Sequence, residues 1–123
     1  MTMPDLATIV ENKIPVKFAL MNNNNLGMVH QWQDLFYDKS YYATEFTGNP
    51  DFVKLADAFG MFAVRVTDKQ QVSAAIQDAM SHDGPALVDF IVDPNENVYP
   101  FIPAGESIKE ILVEPLEEEA WSR

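Results

Sequence analysis

Cysteine is absent from the 123 residues, and basic side chains are scarce. Without cysteine the chain can form no disulfide, no thiolate zinc site and no cysteine nucleophile. Eight Lys and Arg oppose nineteen Asp and Glu, and the net charge of −11 disfavours binding to nucleic acid or anionic membranes. The sequence has neither an apolar run of the roughly 18–20 residues that span a bilayer nor a signal-peptide pattern. We therefore expect a cytoplasmic protein.

Apolar residues are plentiful, at 47% of the chain, which is enough for a packed core and excludes a disordered or collagen-like chain. Apolar spacing predicts helices over residues 5–13, 28–37, 50–59, 68–82 and 107–112, and strands over 15–21, 62–66 and 86–92. The alternation is typical of an α/β fold, a parallel sheet with helices on both faces. Three strands are few for such a sheet. Further strands are expected upstream in a longer protein or from a partner chain.

Four consecutive asparagines, Asn22 to Asn25, follow the first predicted strand, and Gly27 precedes the next helix. Ligands of open α/β sheets bind beyond the carboxyl ends of strands. Asparagine side chains and turn carbonyls are neutral oxygen donors that suit Mg²⁺, and the N-terminus of the following helix favours a phosphate. An ordinary polar turn explains the same residues, so the loop alone leaves both interpretations open.

Other candidate residues are weaker. Met28 and Trp32 share a helical face, as core residues or as an apolar wall near a ligand. His30 and His82 lack the spacing of metal ligands and are interpreted as surface or packing residues. The sequence contains no Walker loop, dinucleotide fingerprint or complete catalytic triad.

The run ALMNNNNLGMVHQWQDLF, residues 19–36, resembles the C-terminal, thiamine-diphosphate-binding domain of the acetolactate synthase (acetohydroxyacid synthase) large subunit. Members of that family carry an apolar strand, Asn-Asn, and then Gly-Met-Val-x-Gln-Trp and Phe-Tyr at fixed spacing. The resemblance extends over nearly the whole chain, with further landmarks at Asn49-Pro50-Asp51-Phe52, Gly84-Pro85 and Tyr99-Pro100-Phe101-Ile102-Pro103. It implies that residues 1–123, with the tail 94–123, form part of a three-layer, flavodoxin- or Rossmann-like domain.

The resemblance also implies roles for individual residues. The side chain of Asn23 and the carbonyl of Asn25 would be ligands of Mg²⁺, and Gly27 and Met28 would lie against thiamine diphosphate. Met28 and Trp32 would line the pocket for the second 2-keto acid. A regulatory small subunit is a further partner that the family suggests.

One departure from the family matters most. The Gly-Asp-Gly motif that supplies the acidic Mg²⁺ ligand is missing, because the chain starts where the family continues directly from it. The activating Glu and the FAD-contacting domain also lie outside this chain in the family. We therefore expect an N-terminally truncated fragment that is inactive alone, binds the cofactor weakly and self-associates through an exposed sheet edge.

Three hypotheses stay open from the sequence. The chain is a fragment of the acetolactate synthase catalytic subunit, which condenses pyruvate with a second 2-keto acid in branched-chain amino-acid biosynthesis. Alternatively it is a stand-alone, non-catalytic association fragment, or part of another thiamine-dependent decarboxylase or carboligase. Whether the polypeptide is an enzyme by itself is left undecided.

Overall fold

A computed structural model describes residues 3–114 of the chain. The described part contains α1 (Asp5–Glu11), β1 (Lys17–Asn22), α2 (Gly27–Phe36), α3 (Phe52–Ala58), β2 (Phe62–Val66), α4 (Val72–Ser81) and β3 (Ala86–Ile91). It divides into two compact units. The first, the sheet unit, comprises residues 3–25 and 46–93, and the second, the α2 unit, comprises residues 26–45 and 94–114.

The three strands form one parallel sheet in the order β1-β3-β2, which confirms the predicted fold class. The central strand, β3, is buried along Ala86 to Phe90, as a strand with helices on both sides has to be. In the register of the sheet, Asp89 lies opposite Leu20 of β1 and Arg65 of β2. The carboxyl ends of all three strands therefore lie at one edge of the sheet.

Each face of the sheet carries its own apolar cluster. On one face, Ala75 and Ala79 of α4 pack with Val66, Val88 and Phe90. On the other face, the buried residues Ala56 of α3, Met61 and Leu87 pack together, and partly buried side chains of α1 and β1 join them. Alternate residues of a strand point to opposite faces, so β3 contributes to both clusters.

The helices of the sheet unit depart in detail from the sequence expectation. Helix α3 begins at Phe52, because the side chain of Asp51 caps it by accepting from the backbone N–H of Lys54. In place of the single helix expected over residues 68–82, the structure has a short 3₁₀ turn, Lys69–Gln71, followed by α4. Asp68 and Gln71 form a capping box at the start of the turn. Ile76 follows the apolar spacing of the buried Ala75 and Ala79 in the sequence, but it is 46% exposed.

The α2 unit combines one helix with irregular chain. Phe101 and Leu112 form an antiparallel bridge, and the helix expected over residues 107–112 is a single 3₁₀ turn, Ile108–Glu110. Most of the acidic segment from Glu114 to Glu119 lies outside the described residues. Within residues 3–114, none of the helices combines the length and apolar character that crossing a membrane demands.

Candidate functional site

The asparagine loop, Asn22 to Asn25, leaves the carboxyl end of β1 and is folded by its own side chains. The amide oxygen of Asn22 accepts from the backbone N–H of Asn24 at 3.2 Å, and that of Asn23 accepts from the N–H of Asn25 at 3.1 Å. Asn24 has a φ of 57°, in the left-handed region that asparagine tolerates better than most residues. Two successive side-chain-to-backbone turns therefore set the course of the loop.

The segment before α3 holds the same loop from a second direction. The carbonyl oxygen of Asn24 accepts from the backbone N–H of Phe46 at 2.8 Å. Its side-chain oxygen accepts from Nδ2 of Asn49 at 2.7 Å. Asn24 thus anchors the loop. Its neighbours Asn23 and Asn25, the two residues that the sequence resemblance implies as Mg²⁺ ligands, are both half-buried.

A charged network runs beneath the loop across the ends of all three strands. Asp89 of β3, with 0% of its surface exposed, accepts from Nδ2 of Asn22 at 3.1 Å and from Nε of Arg65 at 3.0 Å. Arg65 in turn donates from Nη2 to Oδ1 of Asp51 at 2.7 Å. A buried carboxylate is costly unless it is paired and hydrogen-bonded, and both oxygens of Asp89 meet that requirement.

The network also changes the protonation equilibria of its outer members. The backbone N–H of Lys54 is the largest cause that lowers the pKa of Asp51 below its ordinary value of 3.8, and the Arg65 guanidinium adds to it. The hydrogen bonds to Asp89 and then to Asp51 raise the pKa of Arg65. Arg65 is therefore a permanent cation between two carboxylates.

In the α2 unit, the Gln-Trp pair of the motif divides into a buried and an exposed residue. Gln31 is 1% exposed, donates to the carbonyl of Val98 and accepts from the N–H of Val98, both at 3.0 Å. Asp34, one turn later, accepts from Asn97 and from the hydroxyl of Tyr41, both at 2.8 Å. Gln31 and Asp34 therefore bind two later segments of the α2 unit to the helix, one at Tyr41 and one at Asn97 and Val98.

The opposite side of α2 is apolar and open. Met28 is 51% exposed and Trp32 is 36% exposed, and the indole of Trp32 meets the ring of Phe36 edge-on at 5.7 Å. Such exposure is unlike a core residue and leaves both side chains accessible to a ligand. His30 is buried, and its ring stacks on Tyr41 at 4.1 Å, which agrees with the expected packing role.

The residues implied to bind a cation offer the right kind of donor. The oxygen of Asn23 uses one lone pair toward Asn25 and keeps a second, and neutral amide and carbonyl oxygens suit Mg²⁺. Within residues 3–114, no group of three or more His, Asp and Glu side chains is placed to hold a metal ion. The loop therefore fits a Mg²⁺ whose other ligands come from a bound phosphate, from water or from outside the described residues.

A comparison with protein families decides the assignment. The family described as "Thiamine pyrophosphate enzyme, C-terminal TPP binding domain" matches residues 1–90. The chain belongs to this family. The asparagine loop is thus part of a thiamine-pyrophosphate-binding domain, as the resemblance of its sequence implies.

Individual relatives narrow the comparison within the thiamine pyrophosphate enzymes. The chain is 43% identical over 112 residues to the acetolactate synthase isozyme 2 large subunit of Escherichia coli, a match covering 91% of this chain and 20% of that protein. It is 42% identical over 113 residues to the mitochondrial acetolactate synthase of Schizosaccharomyces pombe, covering 92% of this chain and 17% of the relative. The chain therefore spans about a fifth of the length of these relatives.

A solved structure supports the fold. The thiamine diphosphate-dependent 4-hydroxybenzoylformate decarboxylase of Rhodococcus jostii RHA1 matches with a TM-score of 0.65 and 22% identity, over 74% of this chain and 17% of that one. At this identity the likeness concerns the fold alone.

The structure separates the implied site residues into two groups. Asn23 and Asn25 lie together in the loop of the sheet unit, and Gly27, Met28 and Trp32 lie on α2 in the other unit. The sequence expectations do not include Asp89 or its pairing with Asn22 and Arg65. The signal was present, because Asp89 is the one charged residue in the apolar run ALVDFIV.

The low pKa of Asp51 predicts how stability varies with pH. A carboxyl group whose folded-state pKa lies below 3.8 stabilises the fold above that pH, and the contribution is lost as the pH falls through the folded-state value. We expect Asp51→Asn to lower the free energy of unfolding near neutral pH, and the gap to the native chain to close in acid. Urea unfolding at pH 7 and pH 3 measures the difference in unfolding free energy between the native chain and the variant. A gap of equal size at both pH values would contradict the assignment.

Proposed function

We propose that this chain is the cofactor-binding C-terminal part of an acetolactate synthase catalytic subunit. The observation that carries the proposal is the 43% identity to a named acetolactate synthase over 91% of the chain. The asparagine loop with its oxygen donors, and the exposed face of α2 with Met28 and Trp32, agree with it. The proposed reaction decarboxylates pyruvate and joins the two-carbon unit to a second 2-keto acid.

The residues of this chain would bind and orient rather than transfer protons. The side-chain oxygen of Asn23 and the carbonyl oxygen of Asn25 would hold Mg²⁺ at the diphosphate, and Gly27 and Met28 would contact the cofactor. Thiamine diphosphate, when bound, supplies the carbanion chemistry of the reaction. Met28 and Trp32 would exclude water from the second keto acid by covering it with apolar surface.

The other two hypotheses are less well supported. A non-catalytic association fragment does not explain why a metal-suited loop accompanies the Gly-Met-Val-x-Gln-Trp motif. Another thiamine-dependent decarboxylase is favoured by the likeness to the Rhodococcus enzyme, but that likeness concerns the fold alone. The acetolactate synthase relatives match this chain at about twice that sequence identity.

A chimaeric enzyme tests the proposed function directly. The chain replaces the matching segment of the Escherichia coli isozyme 2 large subunit, and acetolactate formation from pyruvate is measured. We expect activity, and we expect Asn23→Ala in the chimaera to raise the Mg²⁺ concentration needed for half-maximal activity by about tenfold or more, because one metal ligand is lost. Asn12→Ala is the matched control, since it makes the same change at an exposed asparagine at the end of α1, outside the loop.

Two results would contradict this proposal. A chimaera that folds but makes no acetolactate would contradict the proposed activity. If the Asn23→Ala chimaera has the same Mg²⁺ dependence as the unaltered chimaera, Asn23 is not a ligand of the metal.

Trp32 is expected to determine the choice of the second substrate. One extra methylene of 2-ketobutyrate over pyruvate is worth roughly 1 kcal/mol against an apolar wall, about a fivefold preference. Trp32→Leu in the chimaera should therefore reduce the preference for 2-ketobutyrate while pyruvate decarboxylation continues. The two acceptors are made to compete and the product ratio is read. An unchanged ratio would return Trp32 to a packing role.

Self-association of the isolated chain is a further expectation. In the described sheet, β1 has a strand on one side only, and Met21 and Ile91 beside it are 59% and 38% exposed. They border an apolar groove of about 620 Å³ between the sheet and α4. An unpaired edge beside apolar surface favours pairing with a second copy. Light scattering should show a dimer or larger species, and a monomer over a wide concentration range would contradict this.

In the full enzyme, a smaller regulatory subunit is the other proposed partner.

A further inference from the structure

Asp89 is a buried carboxylate that the proposed binding residues do not include. It occupies the central strand, its exposure is 0%, and its neighbours in sequence, Val88 and Phe90, pack in the apolar cluster under α4. Its side chain points to the other face, where the register aligns it with Arg65. A charge in such a strand is costly to bury, so it calls for an explanation beyond packing.

The carboxylate dictates how the Asn22 amide is turned. A carboxylate only accepts hydrogen bonds, so the group that faces it at 3.1 Å has to be the NH₂ of Asn22. The amide oxygen of Asn22 then points the other way, where it accepts from the N–H of Asn24 at 3.2 Å. The Asn22 amide thus connects the buried Asp89 to the first turn of the asparagine loop.

We propose that Asp89 is a positioning residue for the metal-binding loop, acting through Asn22 on the backbone that carries Asn23 and Asn25. The inference rests on the proposed function, because it takes those two residues as the Mg²⁺ ligands. Arg65 has a supporting part. It donates from Nε to the second oxygen of Asp89 at 3.0 Å, which fixes the orientation of the carboxylate that faces Asn22.

Asp89→Asn is the informative substitution, because it changes one acceptor oxygen into a donor. Both partners of residue 89, Arg65 and Asn22, present N–H groups, and arginine has no acceptor to offer. The new NH₂ therefore faces Asn22, whose amide has to turn over. The NH₂ of Asn22 then faces the backbone N–H of Asn24, and that N–H loses its hydrogen-bond acceptor. We expect the Asn24 amide to exchange with solvent about tenfold faster.

A second substitution should reverse this effect. In the double variant Asn22→Asp, Asp89→Asn, the carboxylate at position 22 accepts from both the new amide and the N–H of Asn24. The oxygen of the amide at position 89 accepts from Arg65, so every hydrogen bond is restored with the charge moved by one strand. Asn22→Asp alone places two carboxylates face to face and should be the least stable of the set. Rescue is read from amide exchange, since the new charge can itself attract a cation.

The measurement uses the 123-residue chain labelled with ¹⁵N and Mn²⁺ alone as the probe. We expect Mn²⁺ to broaden the amide signals of Asn23 and Asn25, and Asn23→Ala to remove the effect. Asp89→Asn should weaken the broadening about threefold or more, as expected when an oriented ligand loop loses a supporting bond. The amide signals of β2 and α4 report whether the fold is intact.

Asp51→Asn is the matched control. It makes the same chemical change on the other carboxylate of Arg65, and asparagine caps α3 as well as aspartate does. Loop exchange and Mn²⁺ broadening should stay at the native level. If Asp89→Asn does not fold, Asn22→Ala removes from the loop side both the bond to Asp89 and the acceptor of the Asn24 N–H, while Asp89 keeps Arg65. The readout is then Mn²⁺ broadening, which should weaken as in Asp89→Asn.

Four results would overturn the inference. Native loop exchange and broadening in Asp89→Asn would show that the carboxylate does not position the loop. An equal effect of Asp51→Asn, or no rescue in the double variant, would show a general loss of stability instead. If native chain shows no broadening that Asn23→Ala removes, the proposed metal site itself fails, and the role of Asp89 toward a metal fails with it. The first three results leave the proposed metal ligands standing and the fourth removes them, whereas the proposed acetolactate synthase activity is tested separately by the chimaera.

Discussion

The pairing of one buried carboxylate, that of Asp89, links all three strands near their carboxyl ends. Parallel strands have no hairpins to fix their ends to each other, so side-chain contacts there add to the backbone ladder. Asp89 reaches Asn22 on one neighbouring strand and Arg65 on the other, and Arg65 extends the connection to the start of α3 through Asp51. Burial makes these bonds strong, because no water competes for either oxygen of Asp89.

The sheet unit and the α2 unit each present a surface of a different kind. The asparagine loop presents neutral oxygens in a backbone held by Asn24, whereas the open side of α2 presents the apolar Met28 and Trp32. Binding a phosphate-linked metal requires the first kind of surface, and enclosing a keto acid requires the second. Membership of the thiamine pyrophosphate enzyme family accounts for the first kind of surface, because its C-terminal domain binds the cofactor.

The fold class can be predicted from the sequence because the strands of a parallel sheet with helices on both faces are short apolar runs. The run at 62–66 matched β2 residue for residue, and the others matched β1 and β3 within two residues. Helix starts were less predictable, since local capping decides them: Asp51 and Asp68 each bond to a nearby backbone N–H, and each moves the first helical turn. Periodicity carries no information about such single bonds.

The sequence by itself determined the family, the asparagine loop and the residues implied to meet the metal and the cofactor, because each depends on residue types at fixed local spacing. Only the tertiary structure decided which side chains support that loop. Asn22, Arg65 and Asp89 are dispersed over 68 positions, and a parallel register brings them to neighbouring places on one face. Hydrogen bonds between such distant residues depend on distance and direction in space, which no local pattern in the chain encodes.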